Sequence, residues 1–326
     1  MAYQYWGDRT DALRIPPRGR LVNVGSHFLH LYETGDGQPA VVLESGISGS
    51  SLTWSAVQPQ IATVTSVISY DRAGLGWSTA ARDPIALETL VADLRRLLQS
   101  AVIPAPYVLV GHSFGGLLVR AYAHRFPNEV AGLVLVDPVS IASWAACTED
   151  QRRRLALGIK LSRRGALLAR FGVVRFALRL LTRAQRRIPQ VIAKTTARKA
   201  TRFLDRIVGE VRRLPPELWP AVQAHWSRPK SFRAMAAHLS CLEASAKAAF
   251  LMEVPAHIPT IVLSASSSND REIQEREAWI AANARSEHRR ISDCGHWIPL
   301  ERPEAVVSAT LELIEFLRED RRAGPS

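Results

Sequence analysis

Cysteine is scarce in this chain of 326 residues: Cys147, Cys241 and Cys294 stand far apart, with no CxxC pairing. That spacing argues against a disulfide framework and against a zinc knuckle, and it fits a reducing, cytoplasmic setting. Long apolar runs are missing as well. No stretch of ~18 uninterrupted apolar residues occurs, so a membrane-spanning helix is not expected. The opening, MAYQYWGDRTDALR, has no basic stretch followed by an apolar core, so it does not read as a secretory signal. Glycine and proline, 19 of each, are too few for a collagen-like or low-complexity chain. What remains is 47% hydrophobic and 22% charged, an ordinary globular composition without an internal repeat. The length suits one large α/β domain, or a core carrying an insertion.

Acidic residues are short in one region only. The net charge is +12. Between Pro138 and Val254 there are 23 Lys and Arg against 7 Asp and Glu, a net of +16, so the remainder carries −4. A basic partner-seeking surface spread over the whole protein is therefore excluded, and an inserted basic module is implied.

Along the chain, RLVNVGSHFLHLYETG alternates in polarity around Gly25-Ser26, as a hairpin does. Ala40–Ser45, Val64–Asp71, Tyr107–Val110 and Ala131–Asp137 are short apolar runs of the kind buried on both faces of a sheet. Asp83-Pro84 predicts a helix start, with Leu87, Leu90, Val91, Leu94, Leu97 and Leu98 at helical spacing behind it. A second helix is expected over Leu117–His124. From about Ile141 to Leu251 the pattern turns helical, basic and strand-poor. Alternation then resumes with a strand at Thr260–Ala265, a helix near Glu272–Ala282, a strand at His288–Ser292 and a last helix from Pro303 to Leu317. The tail EDRRAGPS is expected to fray. The fold class is α/β, a doubly wound, mostly parallel sheet interrupted by a helical cap. The expected division is core over 1–138, basic helical cap over 139–256, and core again over 257–326.

The chemistry concentrates at Gly111-His112-Ser113-Phe114-Gly115, a GxSxG pattern set between an apolar strand and a helix. The glycines remove the Cβ atoms that would clash in so tight a turn, and the turn lifts the Ser113 hydroxyl above the strand ends. A serine hydroxyl needs a base to take its proton. Of nine histidines, His296 has the best address, between the last strand and the last helix on the same rim. His27 and His30 lie in the hairpin, and His112 is expected to point away from the serine. His124 ends a helix, His225, His238 and His257 lie in or near the cap, and His288 begins a strand. An acid should orient the imidazole. Asp137 ends a strand and Asp270 follows one; both are open. Asp293 reads as a solvent-facing strand end. Acyl transfer also needs donors for a developing oxyanion. The N–H of Phe114 is one candidate. The N–H of Ile47, turned by Gly46 in the loop Ser45–Ser50, is the other. Trp54, Trp77 and Trp144 flank the rim loops and either line an apolar acyl pocket or simply pack there.

The succession ESGISGSSLTW, SYDRAGLGWS, VLVGHSFGGLLVRAYAHRFPNEVAGLVLVDP and CGHWIPLERPE resembles the α/β-hydrolase superfamily, and within it the capped bacterial serine hydrolases. The resemblance covers about residues 20–138 and 257–317. It implies Ser113 as nucleophile, His296 as base, and Ile47 and Phe114 as oxyanion donors, with no cofactor and no metal. The family's His-Gly before the oxyanion residue is Ser45-Gly46 here, so a side-chain hydrogen bond that stiffens that loop has no counterpart in the motif. The family's usual acid position falls on Ser268, with Asp270 two residues later. Some relatives place the acid where Asp137 stands, and Asp137 is preferred over Asp270. Serine at the elbow sets the chain apart from dehalogenases and epoxide hydrolases of the superfamily, which carry Asp there. The expected activity is hydrolysis of a carboxylic ester, thioester or lactone. The alternatives are C–C bond hydrolysis, a hydrolase-like receptor or regulator with slow turnover, and a membrane-associating scaffold.

In the cap, Phe171, Val174, Leu178 and Leu181 fall on one helical face and Arg175, Arg179 and Arg183 on another. This basic amphipathic helix predicts a solvated outer face, an anionic membrane surface as partner with peripheral attachment, or an acidic substrate. Nucleic acid is not expected, because no recognition module is present. Oligomeric state is left open.

Overall fold

The computed structural model describes residues 1–184, 213–281, 283 and 285–323. The strands are β1 (Arg20–Asn23), β2 (Phe28–Thr34), β3 (Val41–Glu44), β4 (Val67–Tyr70), β5 (Tyr107–His112), β6 (Val130–Val136), β7 (Thr260–Ala265) and β8 (Ser286–Ile291). They form one sheet in the order β1-β2-β4-β3-β5-β6-β7-β8. The β1–β2 and β2–β4 pairs are antiparallel, and every other pair is parallel.

Among the described residues the α-helices are α1 (Ala2–Arg14), α2 (Gln58–Ile61), α3 (Leu87–Ser100), α4 (Phe114–Arg125), α5 (Ile141–Ala145), α6 (Glu149–Arg170), α7 (Val173–Ala184), α8 (Trp219–Trp226), α9 (Pro229–Phe250), α10 (Asp270–Ala281), α11 (Ile298–Glu301) and α12 (Pro303–Ala323). None is long and apolar enough to cross a membrane.

The two-residue period of the central strands divides the core in two. Val41, Leu43, Val108, Val110, Val134 and Val136 point to one face, where α2 and α12 cover them. Val42, Leu109, Leu133 and Leu135 point to the other, under α3 and α4. Both faces being covered, these strands carry no polar alternation, which is why they read as continuous apolar runs. All described elements between β6 and β7 are helical, α5 to α9, as expected for the cap; residues 185–212 of that expectation lie outside the described residues.

Three expectations change. Asp83 does not cap α3: its carboxylate accepts from the Ser26 hydroxyl at 3.2 Å, and the helix begins at Leu87, where Thr89 Oγ1 accepts from the Ala86 N–H at 2.9 Å. The chain end does not fray at 319, because α12 continues to Ala323. Helix α1, for which the sequence pattern carried no expectation, is tied to the cap. Finally, Arg175 is turned inward, 2% exposed, with its guanidinium on Asp8 at 2.6 Å, on Asp11, and on Gln4 at 3.1 Å. The face assigned to solvent thus meets α1, whose carboxylates neutralise the buried charge. Phe171 does not share a helix with Val174 and Leu178, because it ends α6 and Gly172 at φ 79° breaks the chain before α7; Phe176 on α7 is exposed, so the apolar side of this helix is not wholly the inner one. The side chains of Leu181 and Arg183 lie outside the described residues.

Candidate active site

The end of β5 runs into α4 through one residue, Ser113, with φ 55° and ψ −115°. A non-glycine residue at positive φ costs about 1–3 kcal/mol and persists where surroundings enforce it. Here they do: the Ser113 N–H donates to Val136 O at 3.0 Å, and Ser113 O accepts from Gly116 at 3.0 Å and from Val139 at 3.2 Å. Gly115 lets the helix start press against β3, since a Cβ there would collide with the Glu44 carbonyl. The hydroxyl is held at the carboxyl ends of the parallel strands.

His296 lies in the loop between β8 and α11. Its Nε2 is 2.8 Å from Ser113 Oγ, and its Nδ1 is 2.6 Å from Asp137 Oδ2. The three side chains form one buried hydrogen-bonded row drawn from the ends of β5, β6 and β8. Asp137 itself sits at φ 40°, just past β6, its N–H held by Leu263 O at 2.7 Å. Asp270 is placed elsewhere: it opens α10, exposed to solvent. Asp293 is exposed too.

The second carboxylate oxygen of Asp137 collects three donors: Arg276 at 2.8 Å, Ser268 Oγ at 2.7 Å and the Ala265 N–H at 3.3 Å. Arg276 is buried on α10 and also donates to Ser264 Oγ at 2.6 Å and Pro138 O at 2.7 Å. Neither residue was legible as functional. Ser268 carried a signal, because it stands where the family's acid usually does; here its hydroxyl donates to Asp137. Arg276 neutralises part of the field that Asp137 exerts on the imidazole. Arg276→Gln should therefore make His296 easier to protonate. The acid limb of the kcat/KM–pH profile should move to higher pH. An unmoved limb would mean that Arg276 only packs.

His112, inside the turn, holds the histidine loop. Its Nε2 must donate to the His296 carbonyl at 2.8 Å, which fixes the neutral tautomer and anchors the histidine loop. Its ring stacks on those of His296 and Trp297 at 4.8 and 5.1 Å between centroids.

The loop after β3 closes over the serine. A Cβ on Gly46 would meet His112 Nδ1 at 3.2 Å and Ser113 Cβ at 3.4 Å, so a larger residue would crowd the Gly46–Ile47 peptide against the turn. Arg72 grips the carbonyl of that same peptide, and the Ser45 carbonyl at 2.7 Å. A planar trans peptide holds its N–H opposite its C=O. Clamping Gly46 O therefore aims the Ile47 N–H. The stiffening expected to be lost with the family's histidine is supplied from β4 instead. Ser45 Oγ, donating to Ser50 O at 2.8 Å, closes the loop further. Glu44 neutralises Arg72 and accepts from Tyr70; burial pushes its carboxyl up while Arg72 pulls it back. The Phe114 N–H, first in α4, has no acceptor within its own helix and is open beside Ser113.

Of the two expectations for the tryptophans, a pocket wall or ordinary packing, Trp54 takes the second, which corrects its assignment to substrate binding. Trp54 is fully buried in the core cluster of Val41, Leu43 and Val57, because the short helical turn after the loop aims it down at α11 and α12. Trp77 donates to Ile15 O at 3.2 Å and packs between His30 and His225. Trp144 packs, half-buried, on the core face shared with α3 and α4. The cap approaches the site through His238 on α9, whose ring meets Phe114 edge-on at 6.1 Å. Burial, aided by the Arg72 charge, holds this imidazole down at about 3, so it is neutral at pH 7. Its Nδ1 donates to Ala234 O at 2.7 Å, leaving Nε2 as an acceptor.

Comparisons with known proteins bear on the fold and the family. A family model described as "alpha/beta hydrolase fold" matches residues 39–303, and the chain belongs to that family. A solved structure of a putative epoxide hydrolase from Pseudomonas aeruginosa superposes with a TM-score of 0.70 at 19% identity, covering 92% of this chain and 96% of the other. A thermophilic esterase from Thermogutta terrifontis gives 0.58 at 21% identity, covering 91% and 98%. In sequence, the chain is 32% identical over 131 residues to the uncharacterized protein YqjL of Bacillus subtilis, 40% of this chain and 52% of that one. It is 33% identical over 129 residues to 2-hydroxy-6-oxo-2,4-heptadienoate hydrolase of Pseudomonas putida, 38% and 46%. The chain thus spans about half the length of the curated relatives it matches.

Proposed function

We propose that the protein is a serine hydrolase that cleaves a carboxylic ester, thioester or lactone through an acyl-enzyme on Ser113. The observation that carries this reading is the unbroken row from Ser113 Oγ through His296 to Asp137, at 2.8 and 2.6 Å. His296 Nε2 takes the hydroxyl proton as Oγ attacks the carbonyl carbon, and Asp137 stabilises the imidazolium through Nδ1–H. The N–H groups of Phe114 and Ile47 receive the negative oxygen of the tetrahedral intermediate, an arrangement in which each donor is worth on the order of 10²–10³ in turnover. The imidazolium returns the proton to the leaving alcohol or thiol. Water, activated by the same nitrogen, then releases the acid and restores Ser113. Gly46 contributes by its lack of a side chain, which lets the loop lie against His112 and the Ser113 Cβ.

No cofactor enters this scheme. The three cysteines are buried free thiols, which supports a reducing, cytoplasmic location. A second reading, C–C bond hydrolysis, is favoured by the name of the Pseudomonas putida relative, whose matched segment shares 33% identity. Steady-state assays on p-nitrophenyl esters of graded chain length, on a 2-hydroxy-6-oxo-dienoate and on an aryl epoxide separate the readings. The proposal expects ester turnover and none of the epoxide. Turnover of the dienoate alone selects the second reading, and epoxide opening that survives Ser113→Ala overturns both.

A further inference from the structure

The outer side of helix α6 carries an exposed apolar stripe bordered by cations. At the helical period, Leu157, Leu161, Leu168 and the following Phe171 fall in one stripe. They are 57%, 47%, 47% and 51% exposed. Arg164 lies within the stripe and Lys160 on its flank, and both are exposed. On that flank a groove of about 640 Å³ runs between α6 and α9. Ala156, Ile159 and Leu167 give it an apolar wall, and Lys160, Arg163 and Arg164 stand around it. These three cations make no ion pair with any described residue. The carboxylate nearest on α9, Glu243, is already held by Arg152 at 3.1 Å and Lys247 at 2.7 Å. An apolar stripe left in water is a binding surface by default.

We propose that this face of α6 docks the protein on a bilayer containing anionic phospholipid. The leucines and Phe171 enter the acyl boundary, and Lys160, Arg163 and Arg164 meet lipid phosphates at the groove. Charge selects this occupant. A second copy would bring another segment of net +16 against the first, which repels. Nucleic acid would use the cations but leave the leucines in water. The inference moves the membrane contact from α7, where Arg175 is consumed by α1, to α6. It does not depend on the chemistry at Ser113.

Co-sedimentation of the full chain with vesicles of phosphatidylcholine alone, or with 30% phosphatidylserine, tests it. Binding should require phosphatidylserine and weaken as salt is raised. Lys160→Gln/Arg163→Gln/Arg164→Gln should lower the partition coefficient by about 10²-fold. Leu157→Ser/Leu161→Ser should lower it as well. Removing three exposed charges from the core, Arg82→Gln/Arg290→Gln/Arg321→Gln, should change it little. All variants should keep the parent melting temperature, since every residue changed is exposed. Four results would overturn the proposal: equal binding to both vesicles, no binding to either, equal losses in the α6 and core triple variants, or capture by single-stranded DNA with no capture by vesicles. A dimer in sedimentation velocity that Leu157→Ser/Leu161→Ser dissolves, without vesicle binding, would assign the stripe to self-association and overturn it equally.

Discussion

Ser113→Ala should lower ester turnover by on the order of 10⁶-fold, because base and acid have nothing to act on once the nucleophile is gone. The residue left behind, by rate over water, would come from the oxyanion donors and from substrate binding alone. Stability should move little or rise. Ser113 occupies a left-handed conformation at φ 55°, and its hydroxyl hydrogen-bonds a histidine that Asp137 and the His112 anchor already hold. Ser113→Gly, which removes the Cβ that makes this conformation costly, should raise stability by about 1 kcal/mol while being equally inactive. Thermal melts beside the rate assays check both. Loss of activity accompanied by a collapsed melting transition would show that the serine is structural.

Asp137→Asn should lower turnover by about 10⁴-fold, and Asp270→Asn should do little. The geometry explains why so small a change is so damaging. Three donors, Arg276, Ser268 and the Ala265 N–H, surround one oxygen of Asp137. In the asparagine variant they claim the amide oxygen, which turns the NH₂ group toward His296 Nδ1. That forces Nδ1 to accept and puts the ring proton on Nε2, facing Ser113. A histidine in that tautomer cannot take the serine proton. Asp270 is exposed at the start of α10 and has no such connection. Rates near zero for Asp270→Asn with an active Asp137→Asn would reverse the assignment of the acid.

The parts of this site that could be read from sequence are those encoded locally. Continuous apolar runs mark strands covered on both faces. Glycines around Ser113 mark a turn too tight for side chains. A lone histidine after the last parallel strand marks the rim. The acid was only half legible, since Asp137 and Asp270 both follow strands, and the choice depends on which backbone turns inward. Arg72, Arg276 and Arg175 were not legible at all. Each is a buried cation whose partner lies far away in sequence: Arg72 with Glu44, Arg276 with Asp137, Arg175 with Asp8 and Asp11. Such a pairing leaves no periodic trace, and a basic residue in a polar stretch reads as solvated until the fold supplies its carboxylate. The same blindness hid α1. Its sequence carries little apolar periodicity, and its place is fixed by the guanidinium of Arg175 and by Gln4 donating to Ser227 O at 2.9 Å. Trp54 failed for the opposite reason. Proximity in sequence to the oxyanion loop suggested a pocket wall, whereas a single helical turn sufficed to send the ring into the core.

The central claim is that the 113 hydroxyl is an activated nucleophile. Incubating the folded protein with a fluorophosphonate and mapping the adduct by peptide mass spectrometry tests it most directly. The account predicts one phosphonyl group per chain, on Ser113, formed rapidly in the parent protein and not in His296→Ala. A folded parent that stays unlabelled, or that is labelled at another residue, would contradict it.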